Sequence, residues 1–275
     1  MSNEQQIEFW NGHVGQRFVE SQDKIDISVR PVTEALMRQA AARPGEAALD
    51  IGCGAAPTTA LLAEAVGERG RVVGVDVSKP LLALGRQRHA RFGTRVTLVE
   101  ADASNHPFKP EFDIAVSRFG VMFFDAPEAA FANIRRAFKP GGRLVFACWQ
   151  EPDKNPWMAE FHRAAAPFLP PPDVRPPPDA PGPFAFADGP RVMRILQQAG
   201  FQDAVLLPFD FGFYLGATAE EATEQAMRMG PPALAGADEP TRARVQAAML
   251  AKAGELLTPQ GVMPPAAVWL VAARA

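Results

Sequence analysis

The sequence predicts an α/β fold in which a mostly parallel sheet of seven strands carries helices on both faces. From residue 46 to about residue 149, short apolar runs alternate with helical stretches. These runs are nearly continuous in Val, Ile, Leu and Ala, which is typical of strands buried on both faces. Two further apolar runs follow in the last third of the chain. The predicted strands are residues 47–51, 72–75, 96–99, 114–116, 144–147, 205–209 and 267–272.

The segments before and between the first strands predict helices. Within residues 4–42 we expect two helices, because Ile7, Trp10, Val14 and Phe18 follow a helical spacing and a second apolar stripe begins near Pro31. Further helices are predicted at residues 58–66, 78–91 and 127–138. We therefore divide this part of the chain into an N-terminal helical cap, 1–45, and a Rossmann-like core, 46–150.

Residues 151–275 are predicted to hold a proline-rich lid, the last two strands and inserted helices. Eleven of the 32 residues in 152–183 are proline, which excludes a continuous helix or a central strand. We expect a helix at 156–168 and then a stiff, mostly extended loop, with a linker to a second domain as the alternative. A helix at 191–199 ends at Gly200. Residues 218–257 are predicted to be helical, beginning with a capping box from Thr218 to Glu221 and burying Val245, Met249, Leu256 and Leu257.

Composition excludes several classes of function. The 275 residues include 28 basic and 31 acidic side chains, so the net charge of −3 gives no electrostatic basis for binding nucleic acid. No apolar run approaches the length that spans a bilayer, and the first residues lack the pattern of a signal peptide. Two distant cysteines, Cys53 and Cys148, exclude a disulfide scaffold and suggest no metal site. We expect a cytoplasmic protein; the sequence does not indicate its oligomeric state.

The segment that follows the first predicted strand is the most informative one. The strand ends in Asp50, and Gly52 and Gly54 follow before a helix opens near Pro57. Glycines at this position let the chain turn sharply and let a ligand lie against the backbone. The free amides at the start of the helix favour an anionic group. The sequence therefore predicts a ligand-binding turn between the first strand and the first helix of the core.

Acidic residues also end the next two strands. Asp76 follows the second strand and Asp102 follows the third, each 26 residues after the acid before it. An acid at the end of the second strand can bind both hydroxyls of a ribose, although Asp76 can also simply cap the following helix. We expect Asp50, Asp76 and Asp102 to point at one crevice. Three carboxylates disfavour a dinucleotide with two phosphates and favour a nucleoside that carries positive charge.

Together these motifs resemble the class I S-adenosylmethionine-dependent methyltransferases. The resemblance covers residues 46–149 and includes Phe112 to Ser117 and the Pro140-Gly-Gly142 turn before the fifth strand. Trp10-Asn-Gly12 and the segment 117–124 are similar to a bacterial subgroup related to ubiquinone and menaquinone C-methyltransferases. One departure is that Ala55-Ala56 replaces the usual third glycine of the loop, which narrows the site slightly.

The resemblance implies roles for individual residues in binding S-adenosylmethionine, whose product is S-adenosylhomocysteine. Asp50 would organise the loop from behind, and Asp76 would hold the ribose. Trp10 would cover the cofactor or belong to the core. Arg17 or Arg118 would pair with the cofactor carboxylate or form a surface salt bridge. The remaining implied contacts are Gly52, Cys53 and Gly54 with the methionine part, Val77, Asp102 and Ala103 with the adenine, and Ser117 with the amino end.

The acceptor and the general base are less well defined by the sequence. The lid segments are rich in Phe, Met, Ala and Pro, which favours a small apolar or aromatic acceptor. His13, His162 and Tyr214 are the candidates for a catalytic role. Two other functions remain open. A nicotinamide-dependent oxidoreductase also uses a glycine-rich turn and an acid after the second strand, and a non-catalytic protein can keep the fold and only bind the cofactor.

Overall fold

The computed structural model describes residues 3–171 and 177–275 and confirms the mostly parallel seven-stranded sheet. Nine strands occur in the described residues, of which the seventh and eighth form a separate small hairpin. The strands are β1 (Ala47–Ile51), β2 (Arg71–Asp76), β3 (Val96–Glu100), β4 (Phe112–Arg118), β5 (Phe138–Trp149), β6 (Gln202–Gly212), β7 (Leu257–Thr258), β8 (Gly261–Val262) and β9 (Pro265–Arg274).

Ten α-helices surround the sheet within the described residues. Short 3-10 turns lie between several of them. The helices are α1 (Asn3–Asn11), α2 (His13–Ser28), α3 (Arg30–Ala40), α4 (Pro57–Val66), α5 (Lys79–Arg88), α6 (Pro127–Arg135), α7 (Pro156–Ala165), α8 (Gly189–Gln198), α9 (Ala219–Arg228) and α10 (Glu239–Glu255).

The order of the strands determines where a ligand can bind. The order is β3-β2-β1-β4-β5-β9-β6; β1 to β5 pair in parallel, and β9 is antiparallel to both of its neighbours. The chain reverses its direction of travel across the sheet between β1 and β4. In open α/β sheets a crevice forms at this reversal, outside the carboxyl ends of the strands.

The centre of the sheet is buried on both faces. All five residues of β1 are buried, and neighbouring side chains of a strand point to opposite faces, so helices must cover both sides. Phe131 on α6 and Phe146 on β5 are fully buried and lie with their ring centroids 5.6 Å apart. Burying each such side chain stabilises the fold by about 1.5–3 kcal/mol.

The prediction of two N-terminal helices is wrong, because the structure has three. The apolar stripe from Ile7 to Phe18 crosses a break at Gly12, where α1 ends and α2 begins. The turn is tight: a Cβ atom on Gly15 would lie 1.9 Å from the carbonyl oxygen of Trp10. Because the apolar periodicity continues across the break between the two helices, the sequence pattern does not reveal that break. The helices α1 and α2 therefore lie as two separate segments over one end of the sheet.

Most of the segment 218–257 is helical as predicted, and the prediction is wrong for Leu257. Residues 218–257 form two helices, α9 and α10, which pack against each other, and α10 also packs against α7. Thr218 caps α9 as predicted, while the Glu221 side chain accepts a hydrogen bond from the Ala217 amide. Leu257 is 47% exposed in the β7–β8 hairpin, so it does not mark a buried helical face. Part of the predicted proline-rich loop, residues 172–176, lies outside the described residues.

Candidate functional site

A cavity of about 760 Å³ lies at the carboxyl ends of β1 to β5. Residues that end or follow these strands form its floor, and α1, α2 and α7 contribute to its walls. The cavity therefore occupies the crevice that the strand order predicts. The lining residues that end or follow the five strands include Gly52, Asp76, Asp102, Phe119 and Trp149.

The turn after β1 is held by a close contact between two glycines. Gly52 has a φ of +67°, and a Cβ atom built on it would lie 2.7 Å from the Cα atom of Gly120. A Cβ atom on Gly120 would in turn lie 2.8 Å from the Cα atom of Gly52. The hydroxyl of Ser117 donates to the Ile51 carbonyl oxygen at 2.8 Å and accepts from the Gly120 amide at 3.2 Å. Gly120 thus has a packing role that is not predicted from the sequence.

Asp50 lies beneath this turn and is completely buried. One of its carboxylate oxygens accepts hydrogen bonds of 2.6 Å from the hydroxyls of Thr58 and Thr59, at the start of α4. The other oxygen has no hydrogen-bond partner among the described residues. Burial raises the pKa of Asp50, and the two hydroxyls oppose that shift. The expectation that Asp50 points into the same crevice as the other two acids is wrong, because its carboxylate braces α4 from behind the turn.

Asp76 connects the turn to the end of β2. Its carboxylate accepts hydrogen bonds from the amides of Gly54 at 2.7 Å and Ser78 at 2.8 Å. Asp76 lines the cavity, and no described basic side chain lies within ion-pair distance of it. Burial raises its pKa, against the effect of the two amides. Its carboxylate can therefore accept further hydrogen bonds from a ligand in the cavity.

Asp102 lines the same cavity at the end of β3 and is tied to the N-terminal helix. Its carboxylate accepts hydrogen bonds from the Asn3 side chain at 2.6 Å, the Asn105 side chain at 3.2 Å and the Ser104 amide at 2.8 Å. Asn3 also donates to the Ser104 hydroxyl at 2.7 Å. The helix α1 is thereby fastened over the ends of the strands.

Two arginines line the cavity in different electrostatic settings. Arg118 already pairs with Asp26 at 2.8 Å, donates to the Thr33 hydroxyl at 2.8 Å, and has a side chain only 11% exposed. Arg17 lines both this cavity and a neighbouring groove of about 610 Å³. Within the described chain Arg17 has no carboxylate within ion-pair distance, so it is the arginine with the freer guanidinium.

Aromatic side chains form the part of the cavity farthest from β3. Phe119 stacks on Trp149 with ring centroids 4.5 Å apart, and Trp157 stacks on Phe213 at 4.1 Å. Trp149 and Trp157 join the two pairs at 5.1 Å. Phe119 has a φ of +64°, which is costly for a bulky residue and holds its ring in this cluster. We call Phe119, Trp149, Trp157 and Phe213 the aromatic cluster.

Trp10 lies on the opposite wall of the cavity, on α1. Its ring makes edge contacts with Phe18 at 5.0 Å and with Phe123 at 5.3 Å. Its carbonyl oxygen accepts a hydrogen bond of 2.9 Å from the Ser78 hydroxyl. Trp10 therefore both packs against neighbouring aromatic residues and lines the cavity, which are the two roles that the sequence left open.

The three candidates for a catalytic role lie in different places. His162 lines the cavity near the aromatic cluster, and burial lowers its pKa while a hydrogen bond to the backbone of Met229 opposes this shift. His13 is exposed and lines both the cavity and the groove. Tyr214 is not among the lining residues, although its carbonyl oxygen accepts a 2.6 Å hydrogen bond from Ser28. The structure therefore does not place Tyr214 in the cavity, where a catalytic role would require it to be.

Most of the residues singled out from the sequence lie together. Asp50, Ser117 and Tyr214 are not among the described residues that line the cavity; Asp50 and Ser117 support the turn from behind. The aromatic cluster as a unit, and the roles of Asn3 and Gly120, are not predicted from the sequence. The predicted residues that line the cavity are Trp10, His13, Arg17, Gly52, Cys53, Gly54, Asp76, Val77, Asp102, Ala103, Arg118 and His162.

Neither cysteine has the environment of a reactive thiol. Cys53 is buried in the turn, where burial and the nearby Asp76 raise its pKa well above the ordinary range. Burial likewise raises the pKa of Cys148. The thiolate is the nucleophilic form, so both side chains act as small packing residues. No group of three metal-binding side chains occurs in the part of the chain that the structure describes, and none of its helices is long and apolar enough to cross a bilayer.

Comparisons with known proteins find similarity in the core. Residues 48–142 match the family described as "Methyltransferase domain". Demethylmenaquinone methyltransferase of Bacillus cereus (strain ATCC 10987 / NRS 248) is 38% identical over 111 residues, which is 40% of this chain and 47% of that protein. The enzyme of the same name from Staphylococcus saprophyticus is 37% identical over the same share of each chain. The aligned region is thus less than half the length of these relatives.

Solved structures extend the similarity of the fold beyond this core. Phosphoethanolamine N-methyltransferase 2 of Haemonchus contortus, in complex with S-adenosyl-L-methionine, has a TM-score of 0.57 at 17% identity and covers 97% of this chain and 59% of its own. Geranyl diphosphate C-methyltransferase of Streptomyces coelicolor A3(2) has a TM-score of 0.52 at 16% identity, over 90% of this chain and 76% of its own. At such identities the likeness concerns the fold.

Proposed function

We propose, from the match of residues 48–142 to the methyltransferase-domain family and from the resemblance to class I S-adenosylmethionine-dependent methyltransferases, that the chain binds S-adenosylmethionine and methylates a small molecule. The observation that carries the proposal is the placement of Asp76 and Asp102 on one cavity wall beside the Gly52–Gly54 turn. We also place the protein in the cytoplasm, which two free cysteines support.

The cavity suits a cationic nucleoside. Asp76 and Asp102 both face it, and within the described residues neither carboxylate is paired with a basic side chain. Two carboxylates that lie at one end of a cavity and have no basic partner favour a ligand that brings positive charge and hydrogen-bond donors. A pyrophosphate would instead meet two negative charges, which argues against the nicotinamide cofactor of the alternative function.

The residues that would hold the cofactor follow from these positions and from the family resemblance. Asp76 would accept hydrogen bonds from the ribose hydroxyls, and Asp50 would keep the turn in place through Thr58 and Thr59. Arg17 would bind the carboxylate of the cofactor more readily than Arg118 would, because the guanidinium of Arg118 already forms an ion pair with Asp26. The other proposed contacts are Val77, Asp102 and Ala103 at the adenine, Gly52, Cys53, Gly54 and Ser117 at the methionine part, and Trp10 above the cofactor.

When bound, the cofactor supplies a methyl group that the positive charge of its sulfur already activates. The protein then has to orient the acceptor and exclude water. Holding two reactants in line can supply about 7–11 kcal/mol of the reduction in the barrier. The helices α1, α2 and α7 and the aromatic cluster close the cavity around the reactants and serve this purpose.

We propose that the acceptor is a small apolar or aromatic molecule that lies against the aromatic cluster. Trp149, Trp157 and Phe213 are each nearly buried, and their stacked rings offer a flat apolar surface rather than charged partners. The name of the relatives that match the core, demethylmenaquinone methyltransferase, is compatible with this acceptor class. The groove that shares His13, Arg17 and Arg228 with the cavity would serve as the entrance.

His162 is the residue that we propose as the proton acceptor for an acceptor molecule that must lose a proton. Its lowered pKa keeps the imidazole neutral at pH 7, and its hydrogen bond to the Met229 backbone orients the ring. A neutral imidazole held at the cavity wall has one ring nitrogen that can take a proton. His13 is the second candidate, because it lines both the cavity and the groove.

Methyl transfer can be tested with labelled cofactor. The purified chain would be incubated with methyl-labelled S-adenosylmethionine and two sets of acceptors, neutral phenols and quinols in one and highly charged small molecules in the other. We expect label in an apolar product. Transfer only to charged acceptors would contradict the acceptor class, and tight binding without any transfer would favour a non-catalytic cofactor-binding protein.

A further inference from the structure

The helix α1 lies across the ends of β2 and β3, above the proposed site of the nucleoside. At its start, the Asn3 side chain donates to Asp102 at 2.6 Å. At its end, the Asn11 side chain donates to the carbonyl oxygen of Val77 at 2.8 Å and accepts from the Lys79 amide at 2.9 Å. Gln6 lies between these two attachments. It is therefore placed between the two residues, Val77 and Asp102, that would contact the adenine.

Gln6 is buried although nothing in the protein binds its carboxamide. It is 5% exposed and is the one buried residue of α1, whereas the apolar Ile7 and Phe9 are 37% and 38% exposed. Both polar atoms of its carboxamide are inaccessible and have no hydrogen-bond partner among the described residues. Gln6 also lines the cavity. Burying an amide without partners is costly. A turn of the Gln6 side chain toward the cavity would bring its carboxamide against a ligand, which would supply those partners.

The carboxamide matches the edge of an adenine. It presents a donor and an acceptor side by side, and adenine presents its 6-amino donor next to a ring nitrogen that accepts; the same pairing is used when glutamine reads adenine in nucleic acids. Asp102 is less available for this task, because Asn3, Ser104 and Asn105 already donate to its carboxylate. We therefore expect a second hydrogen-bond acceptor for the 6-amino group of the adenine near the end of β3.

We propose that Gln6 reads the adenine of the cofactor, forming hydrogen bonds to its 6-amino group and the neighbouring ring nitrogen. The proposal rests on the proposed binding of S-adenosylmethionine in this cavity. It makes α1 a part of the binding site that determines specificity for the base, in addition to a cover over the strand ends.

The test compares two ligands and three proteins by titration calorimetry. The ligands are S-adenosylhomocysteine and its analogue in which hydrogen replaces the 6-amino group. The proteins are the wild type, Gln6→Met and the control Gln16→Met, which removes an exposed glutamine of α2 that does not line the cavity. In the wild type and the control we expect loss of the amino group to weaken binding about tenfold, and in Gln6→Met by about threefold or less, since one hydrogen bond is then missing for both ligands.

The melting temperature of the ligand-free protein separates binding from a structural role. Replacing an unpartnered buried amide with a thioether of similar shape should leave this temperature unchanged or raise it. A lower melting temperature together with unchanged discrimination between the ligands would overturn the proposal, as would unchanged affinity of Gln6→Met for S-adenosylhomocysteine. Failure of the wild type to bind S-adenosylhomocysteine at all would instead contradict the proposed function.

Discussion

The side chain of Asn3 donates a 2.6 Å hydrogen bond to Asp102, which joins the first helix of the chain to a carboxylate on the floor of the cavity. The two residues are 99 positions apart in the sequence. A second bond, from Asn3 to the Ser104 hydroxyl, strengthens the same attachment. The helix α1, which covers the cavity, is thus attached to the carboxylate that would contact the adenine.

We expect Asn3→Ala to weaken the binding of S-adenosylhomocysteine by up to about tenfold, because α1 loses its attachment at one end. Asn105→Ala is the matched control, since it removes another donor to the Asp102 carboxylate without touching α1. Calorimetry measures the affinities, and hydrogen exchange reports the opening of α1. Equal affinities for the two variants would show that the attachment of α1 does not matter for binding.

Asp76→Ala should weaken cofactor binding by about 1.5–3 kcal/mol, the range of hydrogen bonds to a charged group. The amides of Gly54 and Ser78 also lose their acceptor, so part of this effect comes from the turn itself. Glu100→Ala is a suitable control, because Glu100 ends β3 at the same edge of the sheet but is exposed and is not a lining residue. An unchanged dissociation constant of Asp76→Ala would remove this residue from the site.

Gly120→Ala should destabilise the protein by about 1–3 kcal/mol, because the added methyl group meets backbone atoms that cannot move cheaply. The new Cβ atom would lie 2.7 Å from the Ile51 carbonyl oxygen and 2.8 Å from the Cα atom of Gly52. Gly236→Ala is the control, since no atom lies within 4 Å of the Cβ position there. Urea unfolding measures both. Equal free energies of unfolding for the two variants would mean that the turn tolerates a wider spacing between Gly52 and residue 120.

The pH dependence of methyl transfer should show whether His162 acts as the proton acceptor. Burial lowers its pKa below the ordinary value of 6.5, so the neutral form persists at pH 6.5 and is lost only as the pH falls through the lowered pKa. We expect kcat to have an acid limb below pH 6.5 and His162→Gln to remove that limb together with most of kcat. His89→Gln provides the control, because burial lowers the pKa of His89 too, but His89 is outside the cavity lining. An unchanged profile in His162→Gln would exclude this base.

The sheet could be predicted because each of its central strands is a continuous apolar run in the sequence. Residues such as Leu49 and Ile114 are buried on one face or the other of a sheet that is covered on both sides, which requires continuous apolar runs. The acids Asp76 and Asp102 could be placed at one edge because parallel strands end together. Local pattern and overall topology agree in this part of the chain.

The walls of the cavity could not be predicted in the same way. Ile7 and Phe18 belong to one continuous apolar periodicity, yet they lie on two helices separated at Gly12. The aromatic cluster draws Phe119, Trp149 and Phe213 from three distant segments, so only the tertiary structure brings them together. No local pattern marks Gln6 as buried, because a glutamine in a largely polar stretch such as residues 3–8 normally faces water.

Titration of the purified chain with S-adenosylhomocysteine and, separately, with NADH distinguishes the two classes of cofactor. We expect one saturable site for S-adenosylhomocysteine and no heat of binding for NADH, because the unpaired carboxylates at the strand ends repel a pyrophosphate. Saturable binding of NADH without binding of S-adenosylhomocysteine would contradict the proposed function.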